Sequence, residues 1–410
     1  MQRRIPPPSH ARHERPGRVR VLDTTLRDGE QAAGVAFEQD DKLEIARALE
    51  ALGVDWIEAG FPRACPSEFE SVRSLAREIR GTSICALARA LEADIDCAAE
   101  ALEPAAAPRL HVFVSASHVH LDHQLGRDVG EVCAMTRHAV ARARRHTDDV
   151  EFSPMDATRA DPRTLARIVE AAVRAGARTI NLPDTVGCAR PAQVNAMIRG
   201  LRERVSSLAK CTISFHGHDD LGLATANTLA AIEAGARQVE VTVNGIGERA
   251  GNAPLEEVVV ALRAHREAIG VDSTLDPRGL WSLGRLVEER SRMRVAPNKA
   301  VIGRNAFRHA SGIHQDGVLK HPGTYETVDP RSVGAPDGSR IVLGKLSGRH
   351  GFDARLRALG LRVDGEALDA LVLRCREIAE RSGEVCDDDL RRLAGSRRVC
   401  SPEGFPGPGV

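Results

Sequence analysis

The strongest constraint on this chain is a rhythm. Short runs rich in β-branched residues recur at positions 19–23, 56–59, 83–87, 110–115, 150–153, 179–182, 212–216 and 239–243. They lie about 25 to 40 residues apart, which leaves room for one helix in each gap. Several gaps carry a helical period, as at 42–52, 162–175 and 227–234. Ala-Gly-Ala at 175–177 and again at 234–236 reads as a helix stop before the next strand. Strand and helix in alternation give a parallel sheet covered on both faces. Eight such units predict an α/β fold closed into a (β/α)8 TIM barrel. A doubly wound open sheet is the alternative, and it normally carries a phosphate-binding glycine turn after its first strand. Asp23-Thr-Thr-Leu-Arg-Asp-Gly29 stands at that place instead.

Beyond about residue 275 the rhythm ends. Residues 276–352 are rich in Gly- and Pro-containing turns, and helical periodicity returns at 365–382 and 387–394. The expected organisation is a disordered lead-in over 1–18, a barrel over 19–275, a small, mostly helical extended subdomain over 276–395 and a flexible, Pro/Gly-rich tail over 396–410. Composition removes several functions. Lys+Arg and Asp+Glu both number 57, so no net charge argues for nucleic acid or a membrane surface. Aromatic residues make up 3%, too few for a base-stacking platform. Neither a spanning apolar segment nor the apolar core of a secretory signal is present. The nine cysteines are odd in number and form no C-x-x-C pair, which fits reduced thiols, most of them in the core, and a cytoplasmic protein.

The unusual polar clusters fall where strands end. Arg27-Asp28-Gly29 follows the first strand, Pro183-Asp184-Thr185 the sixth, His216-Gly-His-Asp-Asp220 closes the seventh and Asn244–Asn252 follows the eighth. A barrel gathers these ends on one face, so residues distant in sequence converge on one pocket. His216 and His218 stand two apart, on one side of an extended strand, and can share a cation. Asp28 and Asn252 are oxygen donors on the same rim. An N₂O₂ set with open positions suits Mg²⁺, Mn²⁺ or Zn²⁺, and the lack of thiolates argues against a closed structural zinc site. Gly245, Gly247 and Gly251 permit close approach to a bulky ligand, although a tight loop explains them equally well. Arg27 offers a fork for a carboxylate, or a rim ion pair. Read by themselves, Ser311–Gly317 and Tyr325 find no partner in the sequence, and His314 reads as structural.

Taken together, Leu22–Gln31, His216–Gly222, Asn244–Asn252, Ser311–Lys320 and Ile341–Arg349 resemble the 2-isopropylmalate synthase and homocitrate synthase family, with Gly-Ile-His-Gln-Asp-Gly-Val-Leu-Lys closest to the isopropylmalate branch. The resemblance runs from about Val19 to Phe352. It implies an acyltransferase that condenses acetyl-CoA with a 2-oxo acid and releases CoA. It makes Asp28, His216, His218 and Asn252 the ligands of a divalent cation. Arg27, Ser153 and Thr185 would hold the 2-oxo acid, and Glu248 would shape the acetyl-CoA side. His314 and Tyr325 would enter from the partner subunit of a homodimer, with His314 as candidate base.

Two departures from the family bear on substrate and control. Met155, in Phe152-Ser-Pro-Met-Asp156, takes the place of a Glu that usually supports the catalytic His. Asp156 could replace it only if the strand end turned, since adjacent strand residues face opposite ways. Only about 60 residues follow Phe352, too few for the domain-sized leucine-regulatory extension of some relatives, so no leucine feedback of that kind is expected. Arg63 adds either a cation near the acceptor or a solvated surface charge. Other acceptors therefore stay open: phosphono- or phosphinopyruvate, 2-oxoglutarate giving homocitrate, or pyruvate giving citramalate. So do cleavage of the hydroxymethylglutaryl-CoA lyase kind and a metal-binding barrel without chemistry.

Overall fold

The structure is a computed structural model and describes residues 17–395. Eight parallel strands close into a barrel in sequence order. They are β1 (Arg20–Asp23), β2 (Trp56–Glu58), β3 (Ser83–Arg89), β4 (Pro108–Ser115), β5 (Val150–Met155), β6 (Thr179–Asp184), β7 (Thr212–Gly217) and β8 (Gln238–Val241), with β8 pairing back onto β1. The expected barrel is borne out, with each strand where a β-branched run stands. The helices between strands follow from local signals. Helix Pro162–Ala175 starts on Asp161, whose side chain accepts from the backbone N–H groups of Arg163 and Thr164, and ends at Gly176. Its buried stripe is Leu165, Ile168, Val169 and Ala172, a helical period turned toward the sheet. Two further helices matter to the rim: α1 (Gln39–Leu52) after β1 and α2 (Pro66–Glu78) after β2.

Alternation along each strand sends one set of side chains out to the helices and the other into the barrel. The outward set is apolar, as with Ile57, Val112, Phe152, Leu182 and Phe215. The inward set is polar over much of its depth. Near the base, Arg109 lies over the Trp56 ring at 3.6 Å and meets Glu151 at 2.8 Å, Asp149 at 2.9 Å and Gln238 at 2.8 Å. Burial drives the Glu151 carboxyl up to about 7.

The compact units divide after Val295, about 20 residues beyond the expected boundary. The strand rhythm stops near 275, but helix Leu280–Ser291 still packs against α1 and so belongs to the barrel unit. The second unit contains helices Gly312–Lys320, Arg349–Ala358, Gly365–Ser382 and Asp387–Gly395, with a short parallel pair formed by Arg308–His309 and Arg340–Ile341. Its core is Leu343, Phe352, Leu356, Leu371, Cys375 and Leu390. Within the expected lead-in, Gly17–Arg18 pairs with Val271–Asp272, while 1–16 and the tail 396–410 lie outside the described residues. Of the eight described cysteines only Cys85, Cys133 and Cys375 are buried, fewer than expected, because Cys65 caps a helix and Cys188 and Cys386 sit on exposed turns. No described helix is long and apolar enough to cross a membrane.

Candidate active site

The C-terminal ends of the strands surround a cavity of about 240 Å³. On one side stand Asp28, His216 and His218, all buried. The two imidazole Nε2 atoms are 3.1 Å apart, and Asp28 Oδ2 lies 3.9 Å from each. Asn252 joins them through backbone pairing. It bridges to His218 in antiparallel fashion, Asp219 N–H donates to Gly251 O at 2.9 Å and Ala253 N–H to Gly217 O at 2.9 Å. The turn before it is tightly wound. A Cβ on Gly247 (φ 150°) would run into Asn252 Nδ2 and Asp28 Oδ1, and one on Gly251 (φ 88°) into Gly245 O.

These groups fit a divalent cation. Asn252 Nδ2 donates to Asp28 Oδ1 at 2.7 Å and to Ile246 O at 3.1 Å, yet its buried Oδ1 has no partner among the described residues. Burial works against a charged Asp28, but Arg27 and the two imidazoles hold its carboxyl down at about 2. Burial, reinforced by His216, drives His218 down to about 3, so it offers a free lone pair. Glu240 Oε2 lies 2.9 Å from His216 Nδ1, although the approach is too bent for a hydrogen bond and both Glu240 oxygens stay unsatisfied. A metal-bound imidazole needs such an acceptor for its other nitrogen.

Beside this cluster runs a connected polar chain that sequence reasoning missed. Arg27 Nε donates to Glu58 at 2.7 Å and Nη1 to Asp28 at 2.5 Å. Glu58 also accepts from Thr24 Oγ1 at 2.6 Å and meets His111 Nδ1 at 2.7 Å. His111 Nε2 lies 2.7 Å from Ser153 Oγ, which also accepts from Asn181 Nδ2 at 2.9 Å. Burial opposes the charged imidazole, but Glu58 overrides it and lifts His111 to about 9. A doubly protonated ring donates at both nitrogens. Ser153 Oγ then accepts twice, and its own proton is left to serve the cavity. The signal was an ionisable residue at an inward position of an otherwise apolar run: Glu58, His111 and Glu240.

Thr185 lines the cavity, and its Oγ1 accepts from Asp156 N–H at 2.8 Å. Glu248 and Arg249 form the outer wall. Arg249, also missed, grips Asp220 at 2.8 and 2.9 Å and Thr185 O at 2.7 Å, tying three rim loops together. Met155 faces the cavity with Leu87, Phe113 and Pro183. Asp156 does turn, in a left-handed conformation (φ 64°), but its carboxylate lies against Arg159 at 2.7 to 3.0 Å and does not line the cavity. It is no substitute for the missing glutamate. Arg63 is likewise off the cavity, its side chain 55% exposed and 4.0 Å from Asp94. In the second unit the His314 and Tyr325 rings stack at 4.0 Å. Gln315, between them in sequence, is buried and donates to Val342 O at 2.8 Å and His309 O at 3.0 Å, so the middle of that motif is structural.

Comparison with known proteins gives the same answer as the motifs. A 2-isopropylmalate synthase from Gloeothece citriformis is 48% identical over 404 residues, covering 95% of this chain and 75% of that protein. One from Pyrococcus furiosus is 49% identical over 376 residues, 92% of this chain and 75% of that one. The chain belongs to the 2-isopropylmalate synthase family. It is an enzyme, as the resemblance implied. The HMGL-like family model matches residues 18–287 and the homocitrate synthase post-HMGL domain-like model residues 301–383. Among solved structures, hydroxymethylglutaryl-CoA lyase from Bacillus subtilis superposes with a TM-score of 0.57 at 24% identity, over 68% of this chain and 96% of that one. That likeness concerns the barrel fold alone.

Proposed function

We propose that this family member condenses acetyl-CoA with a 2-oxo acid whose side chain is uncharged and aliphatic. One observation carries the choice of acceptor. Leu87 of β3, Phe113 of β4, Met155 of β5 and Pro183 of β6 line the cavity, the last three one pleat above the polar His111, Ser153 and Asn181 of the same strands, while the ionisable Arg27, Asp28, His216, His218 and Glu240 come from the end of β7, from β8 and from the loop after β1. On the β3–β6 side the cavity thus has an apolar wall over a polar floor, and a charged wall faces it. A second carboxylate or a phosphonate on the acceptor would project against the apolar wall. The nearest arginine on those strands, Arg89, is already held by Asp94 at 2.6 and 3.2 Å. Burying an unpaired anion costs several kcal/mol, roughly a hundredfold or more in rate.

The chain's own groups support the chemistry. Arg27 and Ser153 would bind the acceptor's carboxylate and developing alkoxide through charge-assisted and hydroxyl hydrogen bonds. A divalent cation held by Asp28, His216, His218 and Asn252 would supply Lewis-acid polarisation of the ketone. Proton removal from the thioester methyl falls to His314, with Tyr325 beside it, delivered by the partner subunit of a homodimer. Ile313 (75% exposed), next to His314 in sequence, and Leu346 (72%), whose carbonyl accepts from Gly312 N–H, add the apolar surface a docking face requires. The test is CoA release with a panel of 2-oxo acids. Release should be greatest with 3-methyl-2-oxobutanoate and at least about a hundredfold lower in kcat/KM with 2-oxoglutarate or phosphonopyruvate. Preference for either of the latter overturns the acceptor assignment, and no release with any acceptor overturns the activity. Mixing His314→Ala with His216→Ala protein should recover turnover if the base crosses between subunits.

A further inference from the structure

The rim of the barrel contains a buried cation that the condensation does not use. Lys42, in the first turns of α1, is 2% exposed. Its ammonium meets two carboxylates from different rim segments. Glu30 Oε2 lies 2.6 Å away, and Glu68 Oε1 closes on it from the first turn of α2. The remaining oxygen of each carboxylate is also committed. Glu30 Oε1 accepts from Phe37 N–H at 3.0 Å, and Glu68 Oε2 from Phe61 N–H at 3.3 Å.

Glu30 sits in the short 3₁₀ turn Gly29–Gln31, which begins immediately after Asp28. Asp28 itself is held by Arg27, Asn252 and Thr24, whereas Glu30, two residues on, is anchored by Lys42 and the Phe37 N–H. The backbone of this segment is a series of tight turns in which Arg27 N–H and Gly29 N–H both donate to Thr24 O and Gln31 N–H donates to Asp28 O. Asp28 and Gln31 both face the cavity. A buried ammonium persists only where it is paired, and two carboxylates around one ammonium are drawn together by it. Without the cation they would repel, and the turn after Asp28 would be pushed from its place.

We propose that Lys42 is a positioning residue for the cation site: by holding Glu30 from α1 it fixes the turn that aims the Asp28 carboxylate. The proposal rests on the reading of Asp28, His216, His218 and Asn252 as ligands. Lys42 touches no substrate, so its effect should appear in metal binding before turnover is measured. Mn²⁺ binding to the full chain, stripped of metal, is followed by calorimetry, with thermal unfolding in chelator as the control for fold. Lys42→Met and Glu30→Gln should each bind Mn²⁺ at least about tenfold more weakly, the usual scale for groups that orient a metal ligand. Glu68→Gln leaves the Lys42–Glu30 pair in place and should stay within about threefold of wild type. Lower melting temperature with unchanged Mn²⁺ affinity in Lys42→Met makes the lysine merely structural and overturns the proposal. If Lys42→Met does not fold, unchanged affinity in Glu30→Gln overturns it equally. A wild-type protein that binds no Mn²⁺ overturns the cation site itself and this proposal with it.

Discussion

His111 makes the barrel's stability depend on pH in a direction that can be stated in advance. Its ring is 2% exposed, bonded to Glu58 and Ser153, and its pKa stands near 9 rather than 6.5. A shift of that size corresponds to about 3 kcal/mol in favour of the folded, protonated form. Because the folded pKa is the raised one, this contribution is fully present below about pH 6.5 and is lost as pH climbs through about 9. Other groups titrate over the same range, so the quantity to follow is a difference. His111→Gln should be less stable than wild type by about 3 kcal/mol at pH 6, and the gap should narrow steadily toward pH 9.5. Urea unfolding of the barrel transition in chelator, repeated at half-unit steps, measures it. A gap that stays constant across the range refutes the argument, since it would mean that the ring stabilises the fold by packing alone and is not held protonated by Glu58.

Three further outcomes follow from the same geometry. His218→Ala should weaken divalent-cation binding by at least about tenfold, read by calorimetry on folded protein, since it removes one of four donors. Gly247→Ala places a methyl group where Asn252 and Asp28 meet, and should lower both the melting temperature and Mn²⁺ affinity, while Gly34→Ala, equally left-handed (φ 87°) but with nothing within 4 Å of its added carbon, should lower the melting temperature and leave affinity unchanged. Arg109→Met strands the fully buried Glu151 in the barrel base and should cost about 3 to 5 kcal/mol in urea unfolding, and a change below about 1 kcal/mol would show that the pair contributes nothing to stability.

What the sequence disclosed and what it hid have physical reasons. Strand positions were legible because β-branched runs sit where parallel strands are buried on both faces. The cluster proposed to hold the cation was legible because Asp28, His216, His218 and Asn252 each follow or close such a run, and a barrel brings strand ends together whatever their separation. The ends of β5 and β6 were less so. Pro154 and Pro183 look like strand terminators, yet the strands continue to Met155 and Asp184, with Pro154 opposite Val114 and Pro183 opposite His216. That continuation is what turns Met155 and Pro183 inward and builds the apolar wall of the cavity. The start of α1 was missed by three residues because its capping box uses Glu38 with Asp41 in place of the usual Ser, Thr or Asn. Glu58, His111 and Lys42 were hidden for a different reason: a charge inside a strand or helix declares only that it needs a partner, and the partners lie 12 to 53 residues away.

Met155 links the acceptor to the base. A carboxylate at that position would stand in a wall of the cavity whose other members are Leu87, Phe113 and Pro183. Arg27 is already paired with Glu58 and Asp28, His111 with Glu58, and Arg249 with Asp220, so each of these cations lining the cavity has a carboxylate partner before the new one is added. An imidazole arriving from outside the barrel unit would meet it unpaired. Introducing it therefore reports on whether the base enters from that side. Met155→Glu should raise the pKa of an imidazole that enters there and move the acidic limb of the pH–kcat profile upward by about one unit. His314→Ala in the same background should abolish that limb together with turnover. If the profile of Met155→Glu coincides with wild type while turnover persists, no imidazole approaches β5 during catalysis, and the proton must leave the thioester methyl group on the opposite, charged side of the cavity.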